Sequence, residues 1–380
     1  MRLLIYTDSV YREADGVVYG ELSFTLFQAA LASRLSAVTL VGRLDPGHGA
    51  LRYPLPASVA FVGLPYYESL ARPAAALRSL VRSIRAFWLA LDAADGAWLF
   101  GPYLHALLFA LLTRLRRRRL ILGVRQDFPS YVRRRRPAVR WMHVAADLLE
   151  LAWRLLARRY PVVVVGPELL LRYGDAGRAL GIMVSLISEG DIERGRRAVR
   201  RYDGELTLIS VGRLDEEKNP LLLADVLACL HRRDPRWRMV VCGDGPLESS
   251  LRDRLEQLGV ADRAELRGHV PLHDGLMALY LSAHVFLHVS WTEGVPQVLM
   301  EAFASGLPVV ATAVGGVPGA VGDAALLVPP GDAGSAADAV ARIAADRSLR
   351  ERLIDAGFDR ASRHTLEAEI ERVAEFILAG

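Results

Sequence analysis

Lysine is almost absent from this chain: of 47 lysines and arginines, only Lys218 is a lysine. Arginine presents a planar fork, whereas lysine presents a compact charge with three rotatable donors that suits a phosphate oxygen. Lys218 stands in Gly212-Arg213-Leu214-Asp215-Glu216-Glu217-Lys218-Asn219-Pro220, so this loop is either a phosphate contact or a solvated surface where one lysine survived by chance. Cysteine is scarce as well. Cys229 and Cys242 lie in apolar surroundings without metal-ligand spacing, which excludes a disulfide framework and fits buried thiols in a reducing cytoplasm. No run of about 18 uncharged apolar residues occurs, so no membrane-spanning helix is predicted. The N-terminal Met1-Arg2-Leu3-Leu4-Ile5-Tyr6-Thr7-Asp8 lacks the pattern of a signal peptide and reads as a buried strand entering a loop. Tandem repeats, low-complexity segments and Asp-x-Asp pairs are missing too, and no metal site is indicated.

What is present is a long apolar chain. At 380 residues, 52% hydrophobic and with a mean hydropathy of +0.21, it predicts two to three domains with large buried sheets. Charge divides unevenly: residues 1–186 hold 25 arginines against 13 acids, while the remainder is net acidic, so the first half suits an anionic partner. Short apolar runs alternate with amphipathic stretches throughout, the pattern of a parallel α/β fold. Strands are predicted at 2–6, 37–42, 59–62, 97–100, 119–124 and 161–165, with helices at 19–35, 74–92, 103–116 and 140–159. The pattern restarts after 187, with strands near 206–211, 237–242, 264–267, 285–289, 308–311 and 325–328. Helices near 220–232, 246–258, 274–281, 295–305 and 334–345 separate them. The prediction is two Rossmann-like domains, 1–186 and 187–365, with the helix of 366–380 docking back onto the first.

The densest constellation is the run from Trp291 to Thr312. There a strand ends at Ser290, a loop presents Glu293, and a helix begins near Val295 with Pro296 in its first turn. Free backbone N–H groups and the positive helix end make an anion site, and Glu301 follows about two turns in. Two carboxylates beside an anion site fit the neutral hydroxyls of a sugar; taken singly, Glu293 reads as a capping residue and Glu301 as a solvated face. The ordered set comprises Val211-Gly212-Arg213 with Lys218-Asn219-Pro220, Cys242-Gly243-Asp244-Gly245-Pro246, Gly268-His269-Val270, Glu293 with Glu301, and Gly315-Gly316-Val317-Pro318.

This set resembles the donor-binding domain of GT-B glycosyltransferases of family 4, the retaining, nucleotide-sugar-dependent type, over roughly residues 205–345. The resemblance implies two Rossmann-like domains facing a central cleft, the first binding the acceptor and the second the donor. It implies that Arg213 and Lys218 hold the donor diphosphate, beside Gly212 and Gly243. Glu293 would contact the transferring sugar with the Gly294, Val295 and Gln297 backbone nearby, Glu301 would bind ribose hydroxyls, and Val270 would lie against the base. Two fixed cations complement the charge that the leaving diphosphate gains in the transition state, so no cofactor or metal is implied. Retention needs no dedicated base in this family, because the departing phosphate oxygen can take the acceptor proton.

The first half resembles the family less closely. Asp15-Gly16-Val17-Val18-Tyr19-Gly20 carries Gly16 where the family has a glycine pair near donor and acceptor; a simple strand–helix turn reads equally from these residues. Arg125-Gln126-Asp127 stands where a histidine is frequent, leaving Asp127 either to bind an acceptor hydroxyl catalytically or to pair with Arg125. His105, His143, His269, His273, His284 and His288 lack ligand spacing and read as packing or surface residues. Arginines cluster at 114, 116–119 and 133–136, and Arg154, Arg158 and Arg159 end a helix. In Leu77–Leu91, Arg78, Arg82 and Arg85 flank a stripe of Leu77, Val81, Ile84, Trp88 and Leu91. Such a helix either lies on an anionic membrane or packs on a sheet in the ordinary way. Nucleic-acid binding is not indicated, since no interleaved aromatics accompany the arginines. The expectation is a cytoplasmic enzyme, peripheral on the inner membrane face, that transfers sugar from a UDP- or GDP-sugar to a lipid-linked, lipopolysaccharide or exopolysaccharide acceptor. A nucleotide-sugar 2-epimerase of the same fold and a non-catalytic sugar-nucleotide-binding partner are the alternatives.

Overall fold

The computed structural model describes residues 1–47, 49–67 and 73–379, with the side chains of 73–79 and 134 outside that description. The chain divides into two compact units, Met1–Val184 with Ala368–Gly380, and Ser185–Glu367, so the join lies at 184/185 rather than 186/187.

The first unit is built on nine strands: β1 (Arg2–Ala14), β2 (Val17–Gly20), β3 (Ala37–Leu44), β4 (Tyr53–Pro54), β5 (Ala60–Pro65), β6 (Gly96–Gly101), β7 (Arg119–Val124), β8 (Val162–Val165) and β9 (Ala179–Ile182). Parallel pairing runs β5-β3-β1-β6-β7-β8-β9. Helices cover the central strands, which explains their uninterrupted apolar sequence: Leu3, Leu4, Ile5 and Tyr6 in succession are all buried. The sequence pattern misplaces one element. Residues 19–35 read as a helix, yet β2 folds back on β1 and only Phe24–Ala30 is α-helical. Asp15 and Gly16 adopt φ of 51° and 74°, the backbone of a two-residue hairpin turn, and this Asp-Gly pair outweighs the helical periodicity beyond it.

The helix Pro73–Ala90 packs on β5 and on the helix Leu104–Leu115, and through the expected stripe only in part. Leu80, Ser83, Phe87 and Leu91 face inward, Val81 points to solvent, and Trp88 is half-buried beneath the Arg116 guanidinium. Leu77 and Arg78 lie outside the described side chains. The helix is therefore an ordinary covering helix of the sheet. The C-terminal helix Leu366–Leu378 also joins this unit, burying Ile370, Val373, Ala374 and Ile377. Arg178 donates to the Phe376 carbonyl at 2.8 Å and Arg119 to that of Leu378 at 3.2 Å, satisfying the helix's last acceptors.

The second unit begins with the helix Glu189–Arg197, whose start is a capping box. Asp191 N–H donates to Ser188 Oγ at 3.1 Å, and Ser188 N–H donates to Asp191 Oδ2 at 2.8 Å. Its sheet holds β10 (Leu206–Val211), β11 (Trp237–Cys242), β12 (Ala264–Leu266), β13 (Val285–His288), β14 (Val309–Thr312) and β15 (Ala325–Val328), all parallel, in the order β12-β11-β10-β13-β14-β15. Strand order therefore reverses between β10 and β13. In open α/β sheets, the crevice outside the carboxyl ends at such a reversal is where ligands bind.

Candidate active site

Several loops meet at that reversal, and their backbones touch. Gly212 N–H donates to the Cys242 carbonyl at 2.9 Å, and Gly243 N–H to that of Gly268 at 2.7 Å. At φ 144°, a Cβ on Gly243 would stand 1.8 Å from the Gly212 carbonyl oxygen, so only glycine lets these turns close. Trp291 N–H donates to the Glu217 carbonyl at 2.9 Å, which ties the lysine loop to the Glu293 loop. On the far side Gly315, at φ 49°, lies so close that a Cβ would meet the Glu293 carbonyl oxygen at 1.9 Å. Gly212 and Gly294 differ from these. Neither has a positive φ, and a Cβ on either would meet nothing within 4 Å. The fold does not require glycine at these two positions.

Glu293 is the hub. Its Oε1 accepts from Lys218 Nζ at 2.5 Å and from Ser290 Oγ at 2.6 Å, and His288 Nε2 lies 3.0 Å away without hydrogen-bond alignment. Oε2 takes none of these contacts. The Glu293 side chain is 7% exposed and that of Lys218 is 23% exposed, so the pair is largely withdrawn from water. Burial pushes His288 down to about 4, with Glu293 opposing and Lys218 adding, so its imidazole is neutral at pH 7. Lys218 therefore supplies the positive charge beside Glu293. Its loop is shaped by Asp215, which accepts from Lys218 N–H at 3.2 Å, and by Asn219, whose left-handed φ of 51° ends the turn.

Arg213 follows Gly212 in the same loop but is half-exposed and paired with Asp215 at 2.8 Å and Glu217 at 3.2 Å. The two cations expected on one diphosphate are thus each held by carboxylates here.

Glu301 is neither two turns into its helix nor solvated. The helix is Gln297–Ala304 with Pro296 at the N-cap, which puts Glu301 at its fifth residue. The carboxyl is 7% exposed and accepts from Tyr280 Oη at 2.8 Å. Burial lifts it to about 7 against the Tyr280 hydrogen bond. Gly294, Val295 and Gln297 lie on the same loop and helix start, and Val270 sits half-buried beyond the Gly243–Gly268 bridge.

Two expected residues take other places. Gly16 is the exposed tip of the β1–β2 hairpin in the first unit, not a strand-to-helix loop. Asp127 pairs with Arg172 at 2.5 Å rather than Arg125, and caps the helix Phe128–Arg135 by accepting from Ser130 N at 3.2 Å and Ser130 Oγ at 2.7 Å. Against the upward push of burial, these bonds hold its carboxyl below the ordinary range. Sequence reasoning missed His288, Ser290 and Tyr280. The Ser290-Trp291-Thr292-Glu293 spacing was a legible signal for a serine–glutamate contact; nothing in the sequence ties Tyr280 to Glu301.

Residues 191–360, which hold the lysine loop and both glutamates, match the family model described as glycosyl transferases group 1. The likeness to that family lies in this segment. The putative colanic acid biosynthesis glycosyltransferase WcaL of Salmonella typhimurium is 35% identical over 187 residues, 47% of this chain and 42% of that protein. The phosphatidylinositol N-acetylglucosaminyltransferase gpi3 subunit of Schizosaccharomyces pombe is 38% identical over 113 residues, 30% of this chain and 25% of that one. The chain thus spans less than half the length of these relatives. Among solved structures, Anabaena Alr3699/HepE in complex with UDP superposes with a TM-score of 0.71 at 16% identity, covering all of both chains. WaaG, a glycosyltransferase involved in lipopolysaccharide biosynthesis, does so at 0.69 and 16%, again over both full chains. Around the group 1 segment the whole chain accordingly has the GT-B fold of two Rossmann-like units.

Proposed function

We propose that the protein is a retaining glycosyltransferase that moves a sugar from a nucleotide diphosphate sugar to a lipid-linked or polysaccharide acceptor, without a metal. The observation that carries this reading is the largely buried Lys218–Glu293 pair at the strand-order reversal of the second sheet. Gly212 and Gly294, which the fold leaves free to be larger, fit backbone that a ligand approaches closely. In this reading the donor diphosphate takes Lys218 and Arg213 as its cations, Lys218 released from Glu293 and Arg213 from Asp215 and Glu217. Glu293 turns Oε2 toward the sugar hydroxyls while Ser290 holds Oε1, and Glu301 accepts from the ribose. The bond from the anomeric carbon to phosphate breaks as the bond to the acceptor oxygen forms on the same face. The acceptor proton passes to the departing phosphate oxygen, and the two cations offset the charge it gains.

The acceptor belongs to the first unit, which has the same strand-order reversal between β1 and β6. Asp8, Arg43 and Tyr67 meet there, with Tyr67 donating to Asp8 at 2.5 Å and Arg43 Nε 3.2 Å from the same carboxylate. A glycan or lipid-linked acceptor places the enzyme at a cytoplasmic membrane face. No helix among the described residues is long and apolar enough to cross a membrane. A thermal-shift screen of UDP-, GDP- and ADP-sugars tests the reading. One of the three should stabilise the wild-type chain, and Glu293→Ala should lose that response. If none stabilises it, the donor assignment fails; if nucleotide sugar epimerises without acceptor, the transfer assignment fails.

A further inference from the structure

A surface helix ordinarily keeps its solvent side polar. Arg347–Arg363 turns Arg347, Glu351, Arg352, Asp355, Asp359 and Arg363 outward. The helix Arg140–Ala157 does not. It buries Ala146, Glu150, Trp153 and Ala157 against the first unit. Its outer side carries Trp141, Val144, Leu148, Leu151 and Leu155 at helical spacing, exposed by 57%, 60%, 61%, 54% and 50%. From Trp141 to Leu155 this stripe runs for about 21 Å. A helix apolar on both sides belongs in a core or against a partner.

The charges around the stripe identify the partner. Residues 128–159 hold eight arginines and two acids. Of the acids, Glu150 faces inward, where Tyr173 donates to it at 3.0 Å, and Asp147 is neutralised by Arg133 at 2.6 Å. Arg135, Arg136 and Arg140 stand exposed at one end of the stripe, Arg158 and Arg159 at the other. A second copy of this face would bring like charges together, which disfavours self-association. A bilayer of anionic lipids offers acyl chains to the leucines and phosphates to the arginines at once.

We infer that the outer face of Arg140–Ala157 is a docking surface for anionic membranes, with Trp141 and the three leucines entering the headgroup–acyl boundary and the flanking arginines on lipid phosphates. This deepens the reading above, which places the enzyme at a membrane; its test uses neither donor nor acceptor, so either can fail alone. The full chain is sedimented with vesicles of pure phosphatidylcholine and with vesicles containing phosphatidylglycerol. Wild type should bind the anionic vesicles at least about tenfold more strongly than the neutral ones. The double variant Leu148→Asp, Leu151→Asp should lose that binding by about tenfold or more, with unchanged melting temperature and unchanged response to nucleotide sugar, because both positions are exposed. A reduction from replacing Arg135, Arg136 and Arg140 by glutamine, with salt sensitivity in the wild type, supports the same assignment. Equal sedimentation with both vesicle types, retained binding by the leucine variant, or a wild-type dimer that the variant splits would overturn it.

Discussion

Lys218 and Glu293 make a pair that must separate if Lys218 is to take a donor phosphate. A desolvated ion pair is weak evidence for stability, because removing two charges from water offsets much of their attraction. In the proposed function the lysine has a second use, and exchange of Glu293 for a phosphate would leave neither group unpaired once sugar hydroxyls reach the carboxylate. Lys218→Arg keeps the charge but replaces a point donor by a fork; turnover should fall about tenfold or more while the melting temperature holds. Unchanged turnover would remove the reason for regarding this lysine as special. Ser290→Ala frees Oε1 from one hydrogen bond, so kcat/KM should fall about fivefold, roughly 1 kcal/mol. Glu301 gives a pH signature. In the proposed function its carboxyl, raised by burial to about 7, accepts ribose hydroxyls more strongly when ionised, so donor affinity measured calorimetrically should weaken as pH falls through about 7. Stability moves the other way. A raised carboxylate favours folding most strongly below its ordinary value of 4.5, and that contribution is lost as pH rises through about 7. Glu301→Gln should flatten both profiles.

At the scale of elements, the site depends on how loop backbones and helix ends are held. Arg200 donates to the carbonyls of Ala283 and Ser305 at 2.6 and 2.7 Å, and of Gly306 and Tyr280 at 3.1 and 3.2 Å. It thereby caps the helix Met277–Ser282, which supplies Tyr280, and the helix Gln297–Ala304, which supplies Glu301. Arg200→Ala leaves several acceptors without partners, and urea unfolding should report a loss of about 3 kcal/mol. The glycines separate fold from function. Gly315→Ala forces the Glu293 loop away and should lower both stability and donor binding. Gly212→Ala, with open space at its Cβ, should leave the unfolding curve unchanged and weaken donor binding about tenfold if a diphosphate lies there. Undiminished donor affinity would place the phosphate elsewhere.

For the whole molecule, the C-terminal helix crosses the sequence division. Its buried face belongs to the first unit, although it follows the second in the chain. Removing residues 368–380 should therefore lower the thermal transition of the first unit. The transition that responds to nucleotide sugar should keep its midpoint, and scanning calorimetry with and without UDP-sugar distinguishes the two.

The sequence by itself determined the alternation of strands and helices, the doubling of the Rossmann pattern and the order of the motifs. These follow from period and local turn chemistry, which act over a few residues. It also contained the Asp15-Gly16 hairpin and the Ser290–Glu293 spacing, though competing local patterns masked both. Only the tertiary structure decided which groups surround Glu293. His288 and Ser290 approach it through a strand end, Lys218 comes from a loop 75 residues away, and Tyr280 reaches Glu301 from 21 residues earlier. It also decided that Glu301 is buried, that Asp127 caps a helix, and that Leu148, Leu151 and Leu155 of Arg140–Ala157 face solvent. The reason is that burial is set by which elements lie across from each other. A helix with two apolar sides reads the same in sequence whichever side is covered.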